Sequence, residues 1–259
     1  MTTIFYFSGS GNSLAIARDL AAELDGDVRC MAHYLKNPTE IKTDILGIIA
    51  PVHSMTLPSI VAEFIKTVRI SGNPYIFCVV NMGGIEGGSL GQAKRLFNER
   101  GLNMQAGFKM LMPDNSIILP TEEQKKEAML ADYSGRVHTI AFDVKAKRNN
   151  STTIGKMGAW MLANKLSWLT LGKFYKAKER KVDVAKCINC GTCAKVCPLD
   201  LISLVDGIPQ FTNGCVSCFA CAQWCPVSAI SIGKLKICKK NKYTNSTVTI
   251  NELYEFNHK

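Results

Sequence analysis

The chain opens on an uninterrupted apolar run, Ile4-Phe5-Tyr6-Phe7, and then changes period. From Asn12 to Leu24 the apolar residues fall at Leu14, Ile16, Ala17, Leu20, Ala21 and Leu24, the spacing of a helix with one buried face. The alternation then repeats. Ile45–Ala50 reads as a buried strand and Thr56–Val68 as a helix, with Pro58 near its first turn where a missing amide is tolerated. Tyr75–Val80 reads as a strand, Ser89–Arg100 as a helix stopped by Gly101, and Ala106–Leu111 as a further strand. Glu122–Lys147 carries one long helical pattern with a weak point at Asp132–Gly135, and Cys30 reads as the end of a strand. Strands that are apolar at every position, alternating with helices, predict an α/β fold with a doubly wound parallel sheet covered on both faces. Ligands in such folds collect at the C-terminal ends of the strands.

Three loops fall at that end. They are Ser8-Gly9-Ser10-Gly11-Asn12-Ser13, Pro51-Val52-His53-Ser54-Met55-Thr56-Leu57 and Asn81-Met82-Gly83-Gly84-Ile85-Glu86-Gly87-Gly88. The first is short, rich in hydroxyls and opens a helix, where outward amides and the helix dipole favour an anion. Leu14 stands where a dinucleotide fingerprint needs its third glycine, and no lysine is present for a P-loop. Hydroxyls and amides without a cation suit a phosphomonoester in a neutral cradle. The simpler reading is a Ser/Gly turn that caps a helix.

The strand, the Ser8–Ser13 loop and the helix after it resemble the FMN-phosphate loop of flavodoxins, over roughly residues 1–145. The resemblance implies FMN, with the phosphate on Ser8, Gly9, Ser10, Gly11, Asn12 and Ser13. It also implies backbone contacts to the flavin ring from Pro51, Val52, His53, Ser54 and Met55, and from Asn81, Met82, Gly83 and Gly84. Flavodoxins usually stack an aromatic side chain on the ring. Here the first ring loop offers His53 and Met55, and the second offers no aromatic residue.

Composition changes the picture in the last third. Of 11 cysteines, nine lie at or beyond Cys187. Cys187-x2-Cys190-x2-Cys193-x3-Cys197-Pro198 recurs as Cys215-x2-Cys218-x2-Cys221-x3-Cys225-Pro226, each residue shifted by 28, and Ile202-Ser203 recurs as Ile230-Ser231. Zinc sites use two cysteine pairs separated by a longer gap, a poor match to three consecutive short gaps. The run resembles that of bacterial two-cluster ferredoxins, over about residues 183–235. The resemblance implies two [4Fe-4S] clusters in a small α+β domain, each fourth cysteine serving the other repeat's cluster. One cluster then takes Cys187, Cys190, Cys193 and Cys225; the other takes Cys215, Cys218, Cys221 and Cys197. Cys78 reads as a small buried hydrophobe, and Cys238 is left without a role.

The whole resembles the flavodoxin–ferredoxin fusion family. The implied division is a flavodoxin-like domain over 1–147, a basic amphipathic linker over 148–182, a ferredoxin domain over 183–238 and a polar tail over 239–259. Charge adds one feature. The net charge is +10, and residues 145–186 hold 11 basic side chains against Glu179 and Asp183. That stretch reads first as an apolar face packed between the domains, and second as a docking surface for an acidic redox partner or a membrane surface. It carries no nucleic-acid-binding motif. The tail, weakly alternating over Val248–Tyr254, reads as an edge strand or loose chain. With no secretory signal and no apolar run of about 18 residues, the expected location is the cytoplasm, of an anaerobe given oxygen-labile clusters. The expected function is electron transfer between FMN and the two clusters, interconverting one- and two-electron steps. The alternatives are a flavin-dependent reductase fed by its own clusters, and an FMN-free iron–sulfur interaction module.

Overall fold

A computed structural model describes residues 1–116, 120–150, 165–166, 179–235 and 237–259. The first half alternates as expected: β1 (Thr2–Tyr6), α1 (Asn12–Leu24), β2 (Gly26–Cys30), α2 (Met31–Lys36), β3 (Glu40–Lys42), β4 (Ile45–Pro51), α3 (Ser59–Thr67), β5 (Arg69–Ser71), β6 (Tyr75–Met82), α4 (Ser89–Asn98) and β7 (Met104–Leu111). Five strands form one parallel sheet in the order β2-β1-β4-β6-β7. All of β1 and most of β4 and β6 are buried, so both faces are covered. On the helical layers α1 packs with the later helix Tyr133–Lys145, and α3 with α2 and α4. The small parallel pair β3–β5 stands apart from this sheet.

The long helical pattern is two helices, α5 (Glu123–Ala131) and α6 (Tyr133–Lys145), broken at Asp132 within the expected weak point. The helix expected from Thr56 begins at Ser59 instead. Thr56 is spent in a turn, exchanging backbone hydrogen bonds with His53 at 2.8 and 3.1 Å. The centre of the sheet is tightly filled. A Cβ on Gly47 would lie 2.6 Å from the ring of buried Phe77. Overpacking of that kind costs typically 1–3 kcal/mol. Gly47→Ala is therefore expected to lower unfolding free energy by about 2 kcal/mol in chemical denaturation.

The second half is built on the repeat. It contains β8 (Arg180–Val182), α7 (Thr192–Lys195), β9 (Ile202–Val205), β10 (Ile208–Phe211), α8 (Ala220–Gln223) and β11 (Ile230–Ile232). β8 pairs with β11 and β9 with β10, both antiparallel. The sequence shift of 28 is also a conformational shift. Left-handed residues recur as Asn189 and Ser217, Gly191 and Phe219, and Asp200 and Ser228.

The tail is neither strand nor loose. Val248 and Leu253 are buried in the main core, and Ile250–Asn257 forms α9, opened by a Thr249/Glu252 capping box. The helix packs on β2, where Asn257 Oδ1 accepts from Tyr6 Oη at 2.9 Å. The basic stretch expected over 148–182 lies outside the described residues, apart from its two ends and Lys165–Leu166.

Candidate functional site

The Ser8–Ser13 loop leaves β1 at the C-terminal edge of the sheet and turns into α1. It is buried throughout: Ser13 keeps 1% of its surface. What covers it is the second half of the chain. Trp224 Nε1 donates to the Gly9 carbonyl at 2.9 Å, and the Asn245 amide donates to the Ser10 carbonyl at 2.8 Å. Asn12 Oδ1 accepts from Tyr243 Oη at 2.8 Å and from Asn245 Nδ2 at 3.0 Å. The Cys218 carbonyl faces Gly9 so closely that a Cβ there would lie 2.1 Å from it.

These partners use the loop's acceptors and leave donors over. Gly11 caps α1 without a side-chain hydrogen bond, and its own amide goes to Ser8 Oγ at 3.0 Å. Among the described residues no protein group accepts from the amides of Ser10, Asn12 or Ser13. Buried amides need acceptors. A hydroxyl-lined loop with spare amides at a helix N-terminus fits a phosphate.

The ring loops lie beside it and are more open. Pro51, Val52 and His53 are half-buried, and Ser54 and Met55 are exposed. Ser54 and Met55 sit at φ 46° and 69°, left-handed positions that neither residue favours. Strain of this sort clusters at ligand clamps. Desolvation lowers the His53 imidazole to about 4, so the ring is neutral at pH 7. In the other ring loop Met82 and Gly83 are half-buried and Gly84 is exposed. Asn81 is buried, and its Nδ2 donates to Ser13 Oγ at 2.7 Å and to the Ala50 carbonyl at 3.1 Å. Its side chain therefore ties β6 to the start of α1.

The cysteines form two sets. A cavity of about 390 Å³ is lined by Cys197, Cys215, Cys218 and Cys221, together with Arg180 and Phe219. A tighter cleft of about 20 Å³ is lined by Cys187, Cys190, Cys193 and Cys225. Each space thus takes three cysteines from one repeat and the fourth from the other. Burial pushes the Cys193 thiol up to about 11 and the Cys221 thiol up to about 12, and raises Cys218 as well. Cys190 moves the other way, lowered by its hydrogen bond with the Thr192 hydroxyl. Clustered, buried thiols are costly to ionise unless a metal supplies positive charge. Among the described residues no three His, Cys, Asp or Glu side chains converge on one ion. A mononuclear zinc needs all its sulfurs at about 2.3 Å from one point, whereas a cubane gives each thiolate its own iron. The donor set fits a [4Fe-4S] cluster.

Comparison with known proteins agrees at both ends. A flavodoxin domain model matches residues 3–111, and a 4Fe-4S binding domain model matches residues 180–203. The chain joins a flavodoxin domain to a 4Fe-4S binding domain. Its cofactors are FMN and two [4Fe-4S] clusters, and its function is redox electron transfer. No curated protein matches the fusion. Among solved structures it is similar to a flavoprotein from Bacteroides eggerthii, at 20% identity over 50% of this chain and 95% of that one, TM-score 0.34. It is also similar to a flavodoxin from Megasphaera elsdenii, at 18% identity over 51% of this chain and 99% of that one, TM-score 0.30. An FMN-dependent NADH-azoreductase from Bacillus anthracis matches at 9% identity over 54% of this chain and 100% of that one, TM-score 0.35. Among the described residues of the fusion, no helix is long and apolar enough to cross a membrane.

Several residues at the site carry no signal in the sequence. Asn115 is one: its Nδ2 donates to the Cys218 carbonyl at 3.5 Å, and its carbonyl accepts from Gln223 Nε2 at 2.7 Å. Trp224, Tyr243 and Asn245 are others. Only Trp224 stands beside a motif residue, and nothing in the spacing points it at Gly9.

Proposed function

We propose that the fusion carries electrons between FMN and its two clusters, and that it interconverts one- and two-electron traffic. The observation that supports this is the contact of Cys218 with Gly9. One cluster's ligand loop and the flavin's phosphate loop then share a wall. FMN when bound supplies two-electron chemistry that can be released singly, and a cubane passes one electron. The protein's part is placement. Cys187, Cys190, Cys193 and Cys225 hold one cluster; Cys197, Cys215, Cys218 and Cys221 hold the other. Ser8, Gly9, Ser10, Gly11, Asn12 and Ser13 hold the FMN phosphate, while Pro51–Met55 and Asn81–Gly84 border the ring. The working units are 1–147 for the flavin and 183–238 for the clusters, and the tail 239–259 belongs to the wall between them. The partners are other redox proteins, and the setting is a reducing cytoplasm.

Anaerobic purification with iron, sulfide and flavin analysis tests the reading. Expected are iron and sulfide for two cubanes and one FMN per chain. Clusters without flavin would leave the interaction module, and zinc without sulfide would remove the ferredoxin half.

A further inference from the structure

The two cluster sites are unequal, although the repeat that builds them is regular. The larger cavity is lined by Glu179, Arg180 and Lys181 at the start of β8. The positions 28 further on are Gly207, Ile208 and Pro209, and Gly207 and Pro209 line the tighter cleft. Every residue lining that cleft is uncharged. The lining of the larger cavity carries one acidic and two basic side chains, a net of one positive charge.

Of the three, Arg180 is the one set inward. Its Nε and Nη2 are buried, while Glu179 and Lys181 are exposed. The guanidinium carbon sits 5.4 Å from the centre of the Phe219 ring, and Nη1 donates to the Glu179 carbonyl at 3.0 Å. Phe219 itself is unusual. It sits at φ 63°, where the first repeat has Gly191 at 69°. A left-handed aromatic residue is strained, and here the strain is held at the ring that carries Arg180.

The consequence is electrostatic. Reduction adds one negative charge to a cluster. A fixed cation beside the cluster favours the reduced form, and nearby charge is a known determinant of cluster potential. We propose that Arg180 holds the cluster of Cys197, Cys215, Cys218 and Cys221 at a higher reduction potential than the cluster of Cys187, Cys190, Cys193 and Cys225. This rests on the ligand sets given above. It makes the cluster against the flavodoxin domain the stronger electron acceptor of the two.

The test is an anaerobic redox titration followed by electron paramagnetic resonance, with iron and sulfide counted on each sample. The unaltered chain is expected to show two separate one-electron steps. Arg180→Leu is expected to lower the upper step at least tenfold in its reduction equilibrium, 59 mV for one electron, and to leave the lower step in place. Arg180→Lys keeps the charge and is expected to retain most of the separation. The step that moves is expected to be the one absent from Cys197→Ala. Full iron with an unmoved upper step, or with both steps moving together, overturns the proposal. Should Arg180→Leu lose iron, Ile208→Arg decides: it is expected to raise the lower step towards the upper, and no movement overturns the idea. A wrong iron count in the unaltered chain would instead count against the ligand sets.

Discussion

Cys225→Ala is expected to cost the protein half its iron, and the half lost is the cluster nearest in sequence to Cys187, not to Cys225. Cys225 follows Cys215, Cys218 and Cys221 along the chain, so a reading by sequence proximity assigns all four to one cluster. The fold separates them. Cys225 lines the cleft of Cys187, Cys190 and Cys193, while Cys197 lines the cavity of the other three. The reason is local. Each third cysteine lies in a helix of one turn, α7 or α8, and the fourth follows the end of that helix, next to a proline. Cys225 is 7% exposed, and the Ala229 amide donates to its Sγ at 3.3 Å, so its direction is held. The Lys242 ammonium also donates to its carbonyl. Loss of a structural metal group commonly removes several kcal/mol of folding free energy, so the variant is also expected to melt earlier. Iron, sulfide and paramagnetic resonance on Cys225→Ala and Cys197→Ala check the point. The two variants are expected to retain different clusters. Identical residual spectra, or loss of both clusters from a chain that still holds FMN, would refute the crossed assignment.

How far the sequence carries depends on how local the cause is. α1 is legible to the residue because its buried positions follow the helical period and a Ser/Gly loop marks its start. The central strands are legible because they are apolar throughout. β3 and β5 are three residues each, with little apolar pattern to read. The α2 helix is six residues long and follows directly on Cys30, leaving no turn signal between strand and helix. α9 is instructive. The alternation over Val248–Tyr254 suggests a strand, but in the helix only Leu253 and Asn257 are buried, so the apolar pattern is too sparse to show its period. The Thr249/Glu252 capping box is the better guide there, because it acts within one turn. The cysteine spacing is likewise local. The cover over Ser8–Ser13 is not. Trp224, Tyr243 and Asn245 lie more than 200 residues from the loop they hold, and contacts at such separations leave no mark in periodicity or spacing.

That cover yields the second large effect, at Gly9. Gly9→Ala places a methyl 2.1 Å from the Cys218 carbonyl oxygen, well inside contact distance. The clash is with backbone, so no side-chain rotation relieves it. On one side the Gly9 carbonyl is held by Trp224 and its neighbour Ser10 by Asn245. On the other side Cys218 is fixed by its place in the cluster cavity and by Asn115. One of the two loops must move, and both serve a cofactor. The expected cost is about 3 kcal/mol, the upper part of the overpacking range, because both partners are rigid. FMN retention is expected to fall with it, since the Ser10, Asn12 and Ser13 amides shift with the loop. Gly84→Ala is the matched control. It lies in a ring loop, and a Cβ there meets nothing within 4 Å. Its effect on stability is expected to stay within about 0.5 kcal/mol. Chemical denaturation and flavin released on dialysis are the measurements. If Gly9→Ala and Gly84→Ala cost the same stability in chemical denaturation, the phosphate loop and the Cys218 loop do not share a wall. The physical basis for passing electrons between the two halves would then have to be sought elsewhere in the chain.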